Sequence, residues 1–208
     1  MNKRGIRMAD TMLTEIQLDA LREVGNIGMG HAATALSQLV GKTVHLNVPR
    51  VMAMDAMSLP QACGGAERMV AGIYIQILGN ARGNILIVFP RDNTLSILEK
   101  LLSSTPSATA LTELEISTLK EVGNILASAY LNALGSMLKM TLIPSIPLFS
   151  FDMADTVVAR VLGEHGETGS AAFMIETEFT IDSERTSGHI FLLPATASLD
   201  VILNAINA

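Results

Sequence analysis

The sequence predicts an α/β (α+β) chain built from one half-domain used twice, the two copies sharing a mainly antiparallel sheet. Three observations carry that prediction. The octapeptide LREVGNIG at Leu21–Gly28 returns as LKEVGNIL at Leu119–Leu126, 98 positions later. The match extends without a gap from Leu13–Pro49 to Leu111–Pro147, with 13 of 37 positions identical. A period that occurs only twice marks a duplicated unit, not a solenoid. Third, each copy passes from a helical apolar period to β-rich runs in the same order.

Residues 1–12 read as a flexible tail, and residues 13–208 as a single domain with halves at 13–104 and 105–208. Thr14-Glu15-Ile16-Gln17 has the form of a capping box, repeated as Thr112-Glu113-Leu114-Glu115. Both open long helical patterns, over 15–40 and 113–138. At about 100° per residue, Leu21, Val24, Gly28, Ala32 and Ala35 share one face of the first helix. Asp19, Glu23 and Asn26 fall on the opposite face, and Ser117, Glu121 and Asn124 do the same in the second, so these polar residues are expected to be exposed.

Each helix leads into a short strand ending at a proline, Thr43–Pro49 and Thr141–Pro147. Arg68–Leu78 and Arg82–Phe89 are rich in Ile and Val, with Gly79-Asn80 as the turn between them. Ala172–Thr180 alternates, with Phe173, Ile175 and Phe179 on one face and Glu176 and Glu178 on the other, which reads as a half-buried strand. Ser187–Leu193 is its antiparallel neighbour. Closing helices follow at about 91–103 and 195–206, and Gly83-Asn84-Ile85 matches Gly188-His189-Ile190. Ser103–Ser107 is the hinge between halves, while Gly64-Gly65 and Gly163–Gly169 read as loops. Each half alone is marginal as a core, so the two are expected to share one sheet.

Composition narrows the function. With 49% hydrophobic and 16% charged residues the chain is neither disordered nor short of core material. No apolar run reaches the roughly 18 residues of a membrane span, and no apolar segment follows Lys3, Arg4 and Arg7, so a cytoplasmic location without membrane insertion is expected. A net charge of −6 argues against nucleic acid, whose phosphates call for clustered cations. Cys63 is the only cysteine, which excludes an internal disulfide, and with His31, His45, His165 and His189 lacking ligand spacing it leaves no zinc pattern.

Gly25, Gly28 and Gly30 do not follow the G-x-G-x-x-G order and no strand precedes them, so close packing explains them better than a phosphate loop. Asp182, Glu184 and Glu164 lie in turns and are assigned no chemistry. A single Glu-x-x-Asn on a helix face is an ordinary solvated pair. Two copies with the same flanks are different, because packing does not preserve an exposed Asn, a mediocre helix former. A carboxamide near neutral pH exchanges no protons, but it can hold a water by donating and accepting together. That suits hydrolysis of an already activated phosphoryl group, where positioning supplies most of the catalysis.

The strings Asp19-x3-Glu23-x2-Asn26-x22-Pro49 and Ser117-x3-Glu121-x2-Asn124-x22-Pro147 resemble the [DS]-x3-E-x2-N-x22-P signature of the CheC/CheX/FliY phosphatases of the chemotaxis regulator CheY. Two motifs over nearly the whole chain resemble CheC: CheX carries one and is shorter, and FliY has an added flagellar-switch domain. The resemblance implies two long exposed helices on a shared sheet. It implies that Asn26 and Asn124 align water on the aspartyl phosphate of phosphorylated CheY, and that Glu23 and Glu121 grip the receiver's lysine. Asp19, Ser117, Pro49 and Pro147 support the motif. The resemblance further implies that the protein brings no cofactor of its own, the receiver supplying Mg²⁺. Relatives often bind the receptor deamidase CheD, for which Asp152 is the expected contact. A second reading is a non-catalytic adaptor that binds CheD or sequesters phosphorylated CheY.

Overall fold

The computed structural model describes residues 14–107, 110–163 and 171–206. In chain order the elements are helix α1 (Glu15–Val40), strand β1 (Val44–Asp55), a 3-10 turn (Ala56–Ser58), helix α2 (Leu59–Ala62), strands β2 (Met69–Gly79) and β3 (Gly83–Pro90), and helix α3 (Arg91–Leu102). The second half runs through helix α4 (Glu113–Leu138), strands β4 (Leu142–Pro144) and β5 (Leu148–Met153), helix α5 (Ala154–Gly163), strands β6 (Ala171–Ile181) and β7 (Glu184–Pro194), and helix α6 (Thr196–Ile206). Both long helices begin at their capping boxes. Thr14 Oγ1 accepts from the Gln17 N–H while Gln17 Oε1 accepts from the Thr14 N–H, and Thr112 and Glu115 repeat the exchange. Two otherwise orphaned amides are thereby satisfied at each helix start.

The seven strands form one sheet in the order β1-β6-β7-β3-β2, with β4 and β5 both pairing along β2; every pairing is antiparallel. The first half's β1 crosses to the second half's β6, and β4 and β5 cross to the first half's β2. Matching Gly83-Asn84-Ile85 to Gly188-His189-Ile190 carries Leu86 onto Phe191, and these two residues face each other across the β3–β7 seam. A pseudo-twofold axis therefore passes through the middle of the sheet.

Neither strand that follows a long helix stops at its proline. β1 continues past Pro49 to Asp55, because a bulge absorbs the missing amide: Val48 and Pro49 lie between the pairs Asn47–Glu178 and Arg50–Glu176. Displaced by the repeat period, 44–55 becomes 142–153, the span of β4 and β5. There the bulge has opened into a break. Ser145 bridges it, its N–H donating to the Gln76 carbonyl and its Oγ accepting from the Gln76 N–H, at 2.9 Å each.

One face of the sheet carries α1, α3, α4 and α6 over a largely aliphatic core that includes Leu21, Val24, Ile73, Ile85, Leu119, Leu126 and Ile190, together with Phe173. The other face is capped by α2 and α5, through Leu59, Cys63, Val157, Val158 and Val161 packed on Val70, Leu86, Ala172, Met174 and Phe191. β6 is therefore buried on both faces over its first half, where half-burial was expected, and only the end carrying Glu176 and Glu178 is partly open. Helix α5 is not apparent from the sequence pattern. Its apolar stripe at Ala154, Val157, Val158 and Val161 has helical spacing, but three of the four residues are β-branched valines, which favour strands.

His189 lies beside Glu176 on β6 and Phe191 within the α5-side layer, and its Nδ1 is buried without a hydrogen-bond partner among the described residues. His31 and His45 are exposed; His165, Glu164, the tail 1–12 and most of the Gly163–Gly169 stretch lie outside the described residues, while Gly163 itself ends α5. Among the described residues, no helix is long and apolar enough to cross a membrane.

Candidate functional site

The two signatures lie on the outward sides of α1 and α4, whose inner faces pack on the sheet and on each other. Gly28 sits at that helix crossing: a Cβ added there would stand 3.0 Å from the Ala129 carbonyl oxygen and the Tyr130 Cα. Close packing is thus the reason for this glycine. Gly30 has open space around it and takes no part in the crossing.

In the first copy Asp19 and Glu23 are exposed, and Asp19 holds the guanidinium of Arg22 at 3.1 Å. Asn26, expected to be exposed, is half-buried, as is Asn124 in the second copy. The Asn26 Oδ1 accepts a hydrogen bond from the Val48 N–H at 3.0 Å. The bulge explains why that amide is available, since Val48 has left the β6 ladder and the following residue is Pro49. The signature spacing from Asn to Pro therefore has a local structural meaning: the carboxamide caps the amide just before the proline. The Val48 side chain turns inward beneath Gly25, at 2% exposure, and Pro49 turns outward.

The second copy keeps the residues and reverses the kink. Ile146 is 83% exposed and Pro147 is buried. Among the described residues, the Asn124 side chain has no hydrogen-bond partner. Gly123 packs against Ile73, where its counterpart Gly25 meets Val48. With the proline turned in, Ser117, Lys120, Glu121, Asn124 and Pro147 line a hollow of about 250 Å³. All four residues of the second signature thus meet around one concavity. On the first copy's side, Glu23 borders a groove between α1 and α4 that also touches Ile27, His31 and Met137.

Lys120 is the lining residue that the sequence reading did not weigh. Its signal was present: each copy carries a base directly before the signature glutamate, Arg22 in one and Lys120 in the other. Asp152 lies inside β5, opposite Val70, not in a turn after a strand, and its Oδ1 accepts from the Met153 N–H at 2.7 Å. It is not among the residues that line the hollow of the second signature. Asp182 occupies the β6–β7 turn, and Glu184 begins β7. Cys63 is buried under α5, which pushes its thiol up to about 12 against the opposing pull of Arg68, so it is no nucleophile.

A sequence profile of the CheC-like family matches residues 16–53, the first helix and the bulged part of β1. Over 201 residues the chain is 32% identical to the CheY-P phosphatase CheC of Bacillus subtilis, a match that spans 94% of this chain and 96% of the relative. The chain belongs to the CheC-like family. The fold is shared more widely. Thermotoga maritima FliY superposes with a TM-score of 0.74 at 19% identity, over 95% of this chain and 98% of that one. The middle domain of Helicobacter pylori FliM does so at 0.68 with 11% identity, over 93% and 99%. This chain thus shares its architecture with proteins of little sequence identity to it.

Proposed function

We propose that this chain hydrolyses the aspartyl phosphate of phosphorylated CheY, using the Glu-Asn pair of each signature. The observation that carries the reading is the second site. Asn124 caps no backbone group, yet it recurs in register with Asn26 and faces a hollow lined by its own signature, in a chain allied over most of its length to a CheY-P phosphatase.

In this mechanism the carboxamide of Asn124 or Asn26 enters the receiver's active site and holds a water in line with the phosphoryl group. An amide can donate to and accept from that water without changing protonation state. Glu121 or Glu23 pairs with a lysine of the receiver and fixes the approach. Mg²⁺ is supplied by the receiver, and this protein adds positioning without a nucleophile of its own. Asn26 differs in one respect: the Val48 N–H already occupies one lone pair of its carbonyl oxygen and fixes its rotamer. Its amide donors and the second lone pair remain for the water.

The test is loss of turnover. Phosphorylated CheY should lose its phosphoryl group faster with the wild-type chain than with the Asn26→Ala/Asn124→Ala variant, and equal rates would remove the enzymatic reading. A second reading, a non-catalytic adaptor that binds CheD or sequesters phosphorylated CheY, draws on the exposed apolar residues Ile143, Leu148 and Met153 of β4 and β5 and Ile146 between them. In that reading Asp152→Lys abolishes CheD binding, and the wild-type chain does not accelerate dephosphorylation of CheY.

A further inference from the structure

We propose that Lys120 is a binding residue of the second site, offering its ammonium to the phosphoryl oxygens of the partner's aspartyl phosphate. The inference rests on the functional reading above and extends it to a residue outside the signature. Three observations converge. Lys120 lines the same hollow as Ser117, Glu121, Asn124 and Pro147. It stands one turn before Asn124 on α4, the i, i+4 spacing that stacks two side chains on one side of a helix. Among the described residues no carboxylate pairs with it.

The contrast with the first copy sharpens the point. Arg22 occupies the equivalent position, but there Asp19 places a carboxylate 3.1 Å from its guanidinium in an exposed i, i+3 ion pair. Where the first signature opens with Asp19, the second opens with Ser117, which carries no charge and leaves the lysine unengaged. The Asp-to-Ser difference that the signature tolerates therefore changes the electrostatics of the site. A phosphoryl group carries about −1.5 to −2 charges near neutral pH. The chain carries −6 and would repel it, so a local cation at the contact has an electrostatic job. Lysine suits that job as a compact point charge on a flexible stem.

The experiment uses the full chain with its first site disabled by Glu23→Ala/Asn26→Ala, so that only the second site reports. Binding is measured to CheY carrying a beryllofluoride mimic of the phosphoryl group and to unmodified CheY; turnover of phosphorylated CheY is followed in parallel. Lys120→Gln should weaken binding of the mimic-bearing form by about fivefold, the factor set by a partly exposed ionic contact of ~1 kcal/mol. It should leave binding of unmodified CheY unchanged and raise KM more than it lowers kcat, and Lys120→Arg should restore most of the loss. Equal binding of the mimic-bearing form by parent and Lys120→Gln chains would overturn the proposal, as would equal weakening for both forms of CheY. If the parent itself neither binds the mimic-bearing form nor accelerates hydrolysis, the functional reading has failed, a result distinct from failure at Lys120 alone.

Discussion

Asn26 and Asn124 occupy the same place in two copies of one helix and are employed differently. Asn26 satisfies the buried Val48 amide, so removing it should expose a structural cost as well as a catalytic one. Asn26→Ala leaves that N–H without its partner and is expected to destabilise the fold by about 1–3 kcal/mol, whereas Asn124→Ala should be near neutral. Urea unfolding of the two single variants measures this difference, and equal midpoints would show that the Val48 bond contributes nothing. His189 supplies a second prediction. Burial lowers its pKa, with Glu176 pulling the other way and Arg68 adding to the depression. A histidine held neutral in the fold binds its proton more readily when unfolded. Stability is then full above the unfolded value of ~6.5 and declines as pH falls below it. His189→Phe should flatten stability between pH 7 and 5, and an unchanged slope would assign the acid sensitivity elsewhere.

Among the elements, the two long helices were the most legible in the sequence, because capping boxes and a clean 3.6-residue period mark them at both ends of a repeat. Gly28 marks their crossing. Leu126 stands at the corresponding place in α4, and installing leucine at position 28 would drive a large side chain into the backbone at Ala129 and Tyr130. Gly28→Leu should therefore cost about 1–3 kcal/mol, the usual penalty for overpacking, or prevent folding, while Gly30→Ala, with open space around it, should stabilise slightly by favouring the helix. Thermal melts of the two variants should move in opposite directions. Strand ends were less legible. Pro49 and Pro147 read as terminators because a proline forfeits a ladder bond, and nothing local announces that a bulge or a serine bridge will absorb the loss. α5 was hidden by its valines. The opposite orientations of Val48 and Ile146 depend on contacts from other elements, and no pattern in one strand encodes them.

For the whole molecule, duplication and strand exchange combine into one sheet whose halves cannot part without breaking β1 from β6 and β5 from β2. The shared sheet was readable from the small size of each half, but the exchange was not, since pairing between strands so distant in sequence leaves no local trace. One cooperative unfolding transition is expected, with far-ultraviolet circular dichroism and amide exchange in β6 reporting the same midpoint; separate midpoints would mean that the halves are independent. The Glu-Asn pairs were legible as pairs, whereas the hollow that adds Lys120 emerged only when Pro147 was seen to turn inward. Whether the repeated pair acts on a phosphorylated partner is decided by timing the loss of the aspartyl phosphate from CheY with wild-type chain, with each Asn→Ala single variant and with the double variant. Wild type should accelerate that loss, each single variant should keep part of the activity, and the folded double variant should have none. A folded double variant as active as wild type would mean that the pair does not do this work.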